Sequence, residues 1–133
     1  MSQALAHLVD DDEAIRDALA WLLKTRGIAS AGYASAEAFL ARWSAEMAGC
    51  VVLAMRMGGR PGLDCFDQLC ARQSTLPVIF LTGHGDVPMA VGALKKGAYD
   101  FFEKPVNDNA LAERVEQALA QHLQQRQATA AVD

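Results

Sequence analysis

A chain of 133 residues with a formal net charge of −4 is one domain of ordinary size, long enough to bury a core without disulfides or a structural metal. The acidic balance argues against direct nucleic-acid binding by this domain, and no apolar run reaches the roughly 18 residues that span a bilayer. The N-terminus lacks the basic-then-apolar pattern of a signal peptide, so a cytoplasmic location is expected, with no membrane association. Cys50, Cys65 and Cys70 are odd in number and show no C-x-x-C pairing, which fits reduced thiols that are mostly packed in. His7, His84 and His122 are not spaced to complete a zinc site with them.

The apolar pattern alternates between strand-length runs and helical spacing. Leu5 to Val9 opens as a strand, and Ile15, Leu19, Leu22 and Leu23 then share one helical face. Ala29 to Tyr33 is a second strand, Ser35 a candidate N-cap, and Phe39, Leu40 and Trp43 a second helical face. Cys50 to Leu53 is followed by a helix carrying Leu63, Phe66 and Leu69. Val78 to Leu81 is followed by Val87, Val91 and Leu94 on one face. Tyr99 to Phe102 is the last strand, and Leu111, Val115, Ala118 and Leu119 mark the last helix. Gly27 and Gly97 are placed to terminate helices. Trp21 and Trp43 are expected to pack rather than to stack on a ligand.

Five β-α units imply a five-stranded parallel sheet with right-handed crossovers and helices on both faces, the doubly wound (βα)5 flavodoxin-like class. The high hydrophobic fraction, 52%, suits a sheet covered on both sides. Residues 1–122 are expected to form the domain. Residues 123–133, polar and rich in Gln and Ala, are expected to extend the last helix as a linker or tail.

Ligands of such sheets bind outside the carboxyl ends of the strands. Asp10 and Asp11 follow the first strand, Ala54 the third, Thr82 the fourth, and Lys104-Pro105 the fifth. Two adjacent carboxylates offer hard oxygens suited to Mg2+, an ammonium and a hydroxyl suit phosphoryl oxygens, and an aspartate among them would be a nucleophile. Singly, each has a plainer reading: an Asp pair before a helix as an N-cap, a Thr as a turn residue, a Lys-Pro as a solvated loop. Their conjunction at the ends of different strands carries the signal. Ala54 holds only a methyl group where the nucleophile is wanted.

These residues, with Leu8-Val9-Asp10-Asp11-Asp12, Thr82-Gly83-His84-Gly85-Asp86-Val87-Pro88-Met89-Ala90-Val91 and Gly97 to Pro105, resemble the receiver domains of two-component response regulators. The likeness is to the FixJ-like group with LuxR-type output, and it covers residues 5 to 120. The resemblance implies that Asp10, Asp11 and the backbone carbonyl of Arg56 bind Mg2+, that Thr82 and Phe101 are the switch pair, and that Lys104 binds the phosphoryl group. Position 54 matches the phospho-accepting aspartate, and Ala54 departs from it. The implied function is that of a receiver in a phosphorelay controlling transcription, here unable to accept phosphate, held in an inactive-like state and with a weakened Mg2+ site. The implied partners are a sensor histidine kinase, a C-terminal helix-turn-helix DNA-binding domain outside these residues, and a second copy through the fourth helix and fifth strand. The alternative is a naturally degenerate receiver that dimerises or binds a partner without phosphorylation.

Gly58-Gly59-Arg60-Pro61-Gly62 stands where the group usually has Pro-x-Met-Ser-Gly, and its added glycines are expected to loosen the loop. An enzyme is not expected. An Asp-centred phosphohydrolase needs the missing nucleophile, and no glycine-rich dinucleotide fingerprint follows the first strand. His84 is read as a loop histidine, and Asp64 and Asp100 as poorly placed to act as substitute acceptors.

Overall fold

The computed structural model describes residues 4–132, with side chains to residue 127. Five strands, β1 (Leu5–Val9), β2 (Ser30–Tyr33), β3 (Gly49–Ala54), β4 (Val78–Thr82) and β5 (Asp100–Glu103), form one parallel sheet in the order β2-β1-β3-β4-β5. Five helices connect or follow them: α1 (Glu13–Thr25), α2 (Ala36–Arg42), α3 (Gly62–Ala71), α4 (Val87–Lys95) and α5 (Asp108–Val132). This is the doubly wound arrangement expected from the alternating pattern, with strand ends within a residue or so of those read from sequence.

Alternation along the central strands divides the core in two. On β3 and β4, Val51, Leu53, Val78 and Phe80 point to one layer, where they meet Phe39 of α2, Phe66 and Leu69 of α3, and Ala90 and Ala93 of α4. Cys50, Val52, Ile79 and Leu81 point to the other, against Leu19 and Leu23 of α1 and Leu111, Val115 and Ala118 of α5. Strands buried on both faces carry no polar alternation, which is why their sequences are continuous apolar runs.

Local signals set the element ends. Ser35 caps α2 by accepting from the Ala38 amide at 3.0 Å. Gly27 and Gly97 follow α1 and α4 with φ of +76° and +110°, values that a side chain disfavours. Two expectations need correction, on α1 and on α4. Trp21 does not pack: it is 68% exposed, because the α1 stripe through Leu19 and Leu23 takes the sheet face. On α4 the sheet-facing positions are Ala90 and Ala93, and Val91 is exposed, because close helix–sheet approach selects the small side chains. Cys70 lies exposed on α3, whereas Cys50 and Cys65 are buried, their thiols pushed up by burial to about 12 and about 11. Among the described residues no helix is long and apolar enough to cross a membrane.

Candidate functional site at the carboxyl edge of the sheet

Because all five strands run the same way, their carboxyl ends lie along one edge. Val9 pairs with Leu53, so Asp10 and Ala54, one residue beyond, come next to each other. Ala54 pairs with Leu81, one residue before Thr82. Thr82 pairs with Glu103, and the Lys104 amide donates to the Thr82 carbonyl at 2.8 Å. The edge therefore reads Asp10, Ala54, Thr82, Lys104 across four adjacent strands. Phe101 lies lower, paired with Phe80 on β5, half-buried against the layer that holds α3 and α4.

Asp10 is only 4% exposed. One of its carboxylate oxygens, Oδ1, accepts from the Asp12 amide at 2.9 Å, while Oδ2 is buried without a hydrogen-bond partner. Burial raises its pKa above the usual carboxylate range. The Asp12 amide and the Lys104 charge oppose that rise, and Asp11 and Asp12 add to it. The helix-cap reading of the pair fails for a local reason: the α1 N-cap is Asp12, whose Oδ1 takes the Ala14 and Ile15 amides at 2.9 and 3.3 Å. Asp10 and Asp11 are thereby released from capping and face the edge.

Asp11 is exposed, and its Oδ2 accepts from the Gly58 amide at 2.8 Å. Gly58 belongs to a small antiparallel ribbon in which Arg56 and Met57 pair with Pro61 and Arg60. Gly58 and Gly59 form its two-residue turn with φ of +56° and +82°. Positive φ at both central residues is the signature of the tight hairpin turns that match strand twist. In this loop the glycines supply the positive φ values that the turn requires.

The Arg56 side chain leaves the edge. Its guanidinium grips the Asp86 carboxylate by two hydrogen bonds, Nε to Oδ2 at 3.0 Å and Nη2 to Oδ1 at 2.9 Å, and holds that carboxyl below its usual pKa. The ribbon is so tied to the start of α4. His84, in the turn before α4, meets Glu103 of β5 at 2.9 Å. Sequence reading missed both pairs, which depend on loop geometry rather than spacing. The Gly58 contact had an available signal, since Gly-Gly between two short segments is a hairpin pattern.

Thr82 is fully buried, and its hydroxyl donates to the Gly83 carbonyl at 3.1 Å. Lys104 is exposed beyond β5. Asp64 sits in the first turn of α3, and Asp100 is engaged by Arg114 at 2.8 Å.

The edge thus combines a buried carboxylate, an exposed one, a hydroxyl and an ammonium, a set able to receive an anion beside a cation. Its donors suit a divalent metal only as a weakened site. Asp10 offers one unpartnered oxygen, Asp11 is engaged by Gly58, and Ala54 offers none. Among the described residues no cluster of three or more His, Cys, Asp or Glu side chains is placed to hold a metal ion.

Residues 6–116 match the response regulator receiver domain family. The chain is 48% identical over 118 residues to the C4-dicarboxylate transport transcriptional regulatory protein DctR of Rhodobacter capsulatus, covering 87% of this chain and 60% of that protein. It is 44% identical over 119 residues to the transcriptional regulatory protein FixJ of Azorhizobium caulinodans, covering 90% of this chain and 56% of that one. The chain therefore spans less than two thirds of the length of these relatives. Among solved structures, the response regulator StyR superposes with a TM-score of 0.91 at 38% identity, over 99% of this chain and 67% of that one. Full-length FixJ from B. japonicum gives 0.80 at 40% identity, over 92% and 60%. With the fold, the strand-end placement of Asp10, Thr82 and Lys104, and these similarities in agreement, the chain belongs to the response regulator receiver domain family.

Proposed function

We propose that this chain is the receiver of a transcriptional response regulator in which Ala54 occupies the phospho-accepting position and blocks phosphoryl transfer. The observation that carries this reading is the place of Ala54: 2% exposed at the end of β3, between β1, which Asp10 follows, and β4, which ends in Thr82. An aspartate there would attack the phosphorus of a sensor kinase phosphohistidine with a carboxylate oxygen, forming an acyl phosphate and releasing the histidine. Lys104 would pair with the phosphoryl oxygens, and the Thr82 hydroxyl would turn from the Gly83 carbonyl to donate to one of them. Alanine has no lone pair, so transfer is absent rather than slowed.

In this reading Asp10, Asp11 and the Arg56 carbonyl would be the ligands of a Mg2+ ion, held weakly without a carboxylate at 54. Mg2+ supplies charge neutralisation for a phosphoryl group. Thr82 and Phe101 would shift together and remodel the face of α4 and β5, on which a second copy would dock. The partners are a sensor histidine kinase and a helix-turn-helix DNA-binding domain joined beyond α5, with residues 1–122 as receiver and 123–133 as linker. The unbroken course of α5 from Asp108 to Val132 supports a helical linker.

The test is intact-protein mass spectrometry after incubation with acetyl phosphate and Mg2+. A phosphoryl adduct is expected on the Ala54→Asp variant and none on the chain itself. An adduct on both would place the acceptor elsewhere and defeat the reading. A second reading, a phosphorylation-independent dimerisation or interaction module, draws support from the Gly58–Gly59 hairpin, which Asp11 and the ribbon pairing fix against the edge. It requires a dimer at low concentration in sedimentation equilibrium, whereas the first reading expects a monomer.

A further inference from the structure

We infer that Asp11 acts in this chain as an intramolecular clasp. Its carboxylate accepts the Gly58 amide and so holds the Arg56–Pro61 hairpin in place. The inference stands apart from the proposed role of position 54.

Three observations carry it. The Gly58 amide donates to Asp11 Oδ2 at 2.8 Å, across 47 residues of chain, and this is the hydrogen bond that ties the β1–α1 loop to the hairpin. The donor exists because residue 58 is glycine. A proline, usual at this place in the group the chain resembles, has no amide hydrogen and fixes φ near −65°, whereas Gly58 stands at +56°. The rest of the hairpin is already anchored on its other sides. Gly62 donates its amide to the Met55 carbonyl, Arg56 grips Asp86, and Arg60 meets Glu37 at 2.8 Å. Asp11 adds the attachment to the β1–α1 loop.

The clasp changes what the acidic pair means. Carboxylates gathered only to await a cation repel one another in its absence, and removing one then relaxes the apo protein. A carboxylate that accepts an amide from a distant turn does the reverse: removing it frees the turn. The sign of the Asp11 substitution therefore separates the two.

Asp11→Ala and Asp11→Asn are compared with the unsubstituted chain in EDTA. Thermal unfolding is followed alongside amide hydrogen exchange at Gly58 by NMR. Asn keeps a side-chain oxygen that accepts the amide, while Ala does not. The clasp predicts a lower Tm for Asp11→Ala, with Gly58 exchange faster by about tenfold. Asp11→Asn should lie near the unsubstituted chain in both. A Tm raised in both variants, or any other order of Gly58 exchange, would overturn it.

Discussion

A carboxylate introduced at position 54 would enter a place where the alanine methyl group is almost fully buried. It would stand beside Asp10, whose pKa is already raised mainly by burial and whose Oδ2 lacks a partner. Both groups would then be ionised and poorly solvated, and each would disfavour the charged form of the other. Ala54→Asp is therefore expected to lower the Tm in EDTA; an equal or higher Tm in differential scanning calorimetry would show that the edge tolerates a third carboxylate without metal. The sequence made the position of Ala54 readable because it ends an apolar run, and strand ends in a parallel sheet converge by topology. What could not be read was how the neighbouring acids are engaged. Asp10, Asp11 and Asp12 are alike on paper, and only backbone geometry sends Asp12 to the helix cap, Asp10 inward and Asp11 to Gly58.

At the start of α3, one glycine is fixed by space rather than by φ. A Cβ on Gly62 would lie 2.2 Å from the Ala54 carbonyl oxygen, a backbone atom that cannot rotate away. Gly62→Ala must push α3 off the end of β3. A loss of about 3 kcal/mol or more is expected, at the upper end for overpacked sites, as a reduced midpoint in urea unfolding. Gly58 and Gly59 differ, since a Cβ at either meets nothing within 4 Å; there it is the positive φ that restricts the residue. The strands and helices were legible because each is long enough for its period to show. The ribbon was not, because two residues on each side carry no period and the pairing is visible only through its turn. The α4 face was misread for a related reason: large apolar residues mark a stripe in sequence, while the contact is made by Ala90 and Ala93.

For the molecule as a whole, two apolar layers account for most of what holds it, and each layer encloses or borders a histidine whose charge it opposes. His7 lies in the sheet with its Nε2 3.3 Å from the Ala48 carbonyl and its Nδ1 3.1 Å from the Tyr33 hydroxyl. The carbonyl can only accept, so Nε2 carries the proton and Nδ1 accepts from Tyr33. Protonating Nδ1 would reverse that second bond, the Tyr33 hydroxyl turning to accept. His122 on α5 is buried with neither nitrogen in hydrogen-bonding geometry, although the Thr75 and Met47 carbonyls lie beside the ring, and Arg126 opposes its charging. Burial lowers both pKa values below 6.5, so the unfolded chain binds protons more readily than the folded one as the pH falls through 6.5. Folding stability should then decline on acidification from that pH. Asp10 works oppositely in a lower window: its raised pKa makes stability fall as pH rises from 3.8 through the folded value. Thermal unfolding between about pH 7.5 and 5.5 isolates the histidines, because most carboxylates stay ionised across it. The Tm should drop over that range, and His122→Leu, which removes the buried nitrogens, should show a smaller drop. An equal drop in the variant would assign the acid sensitivity to His7 alone.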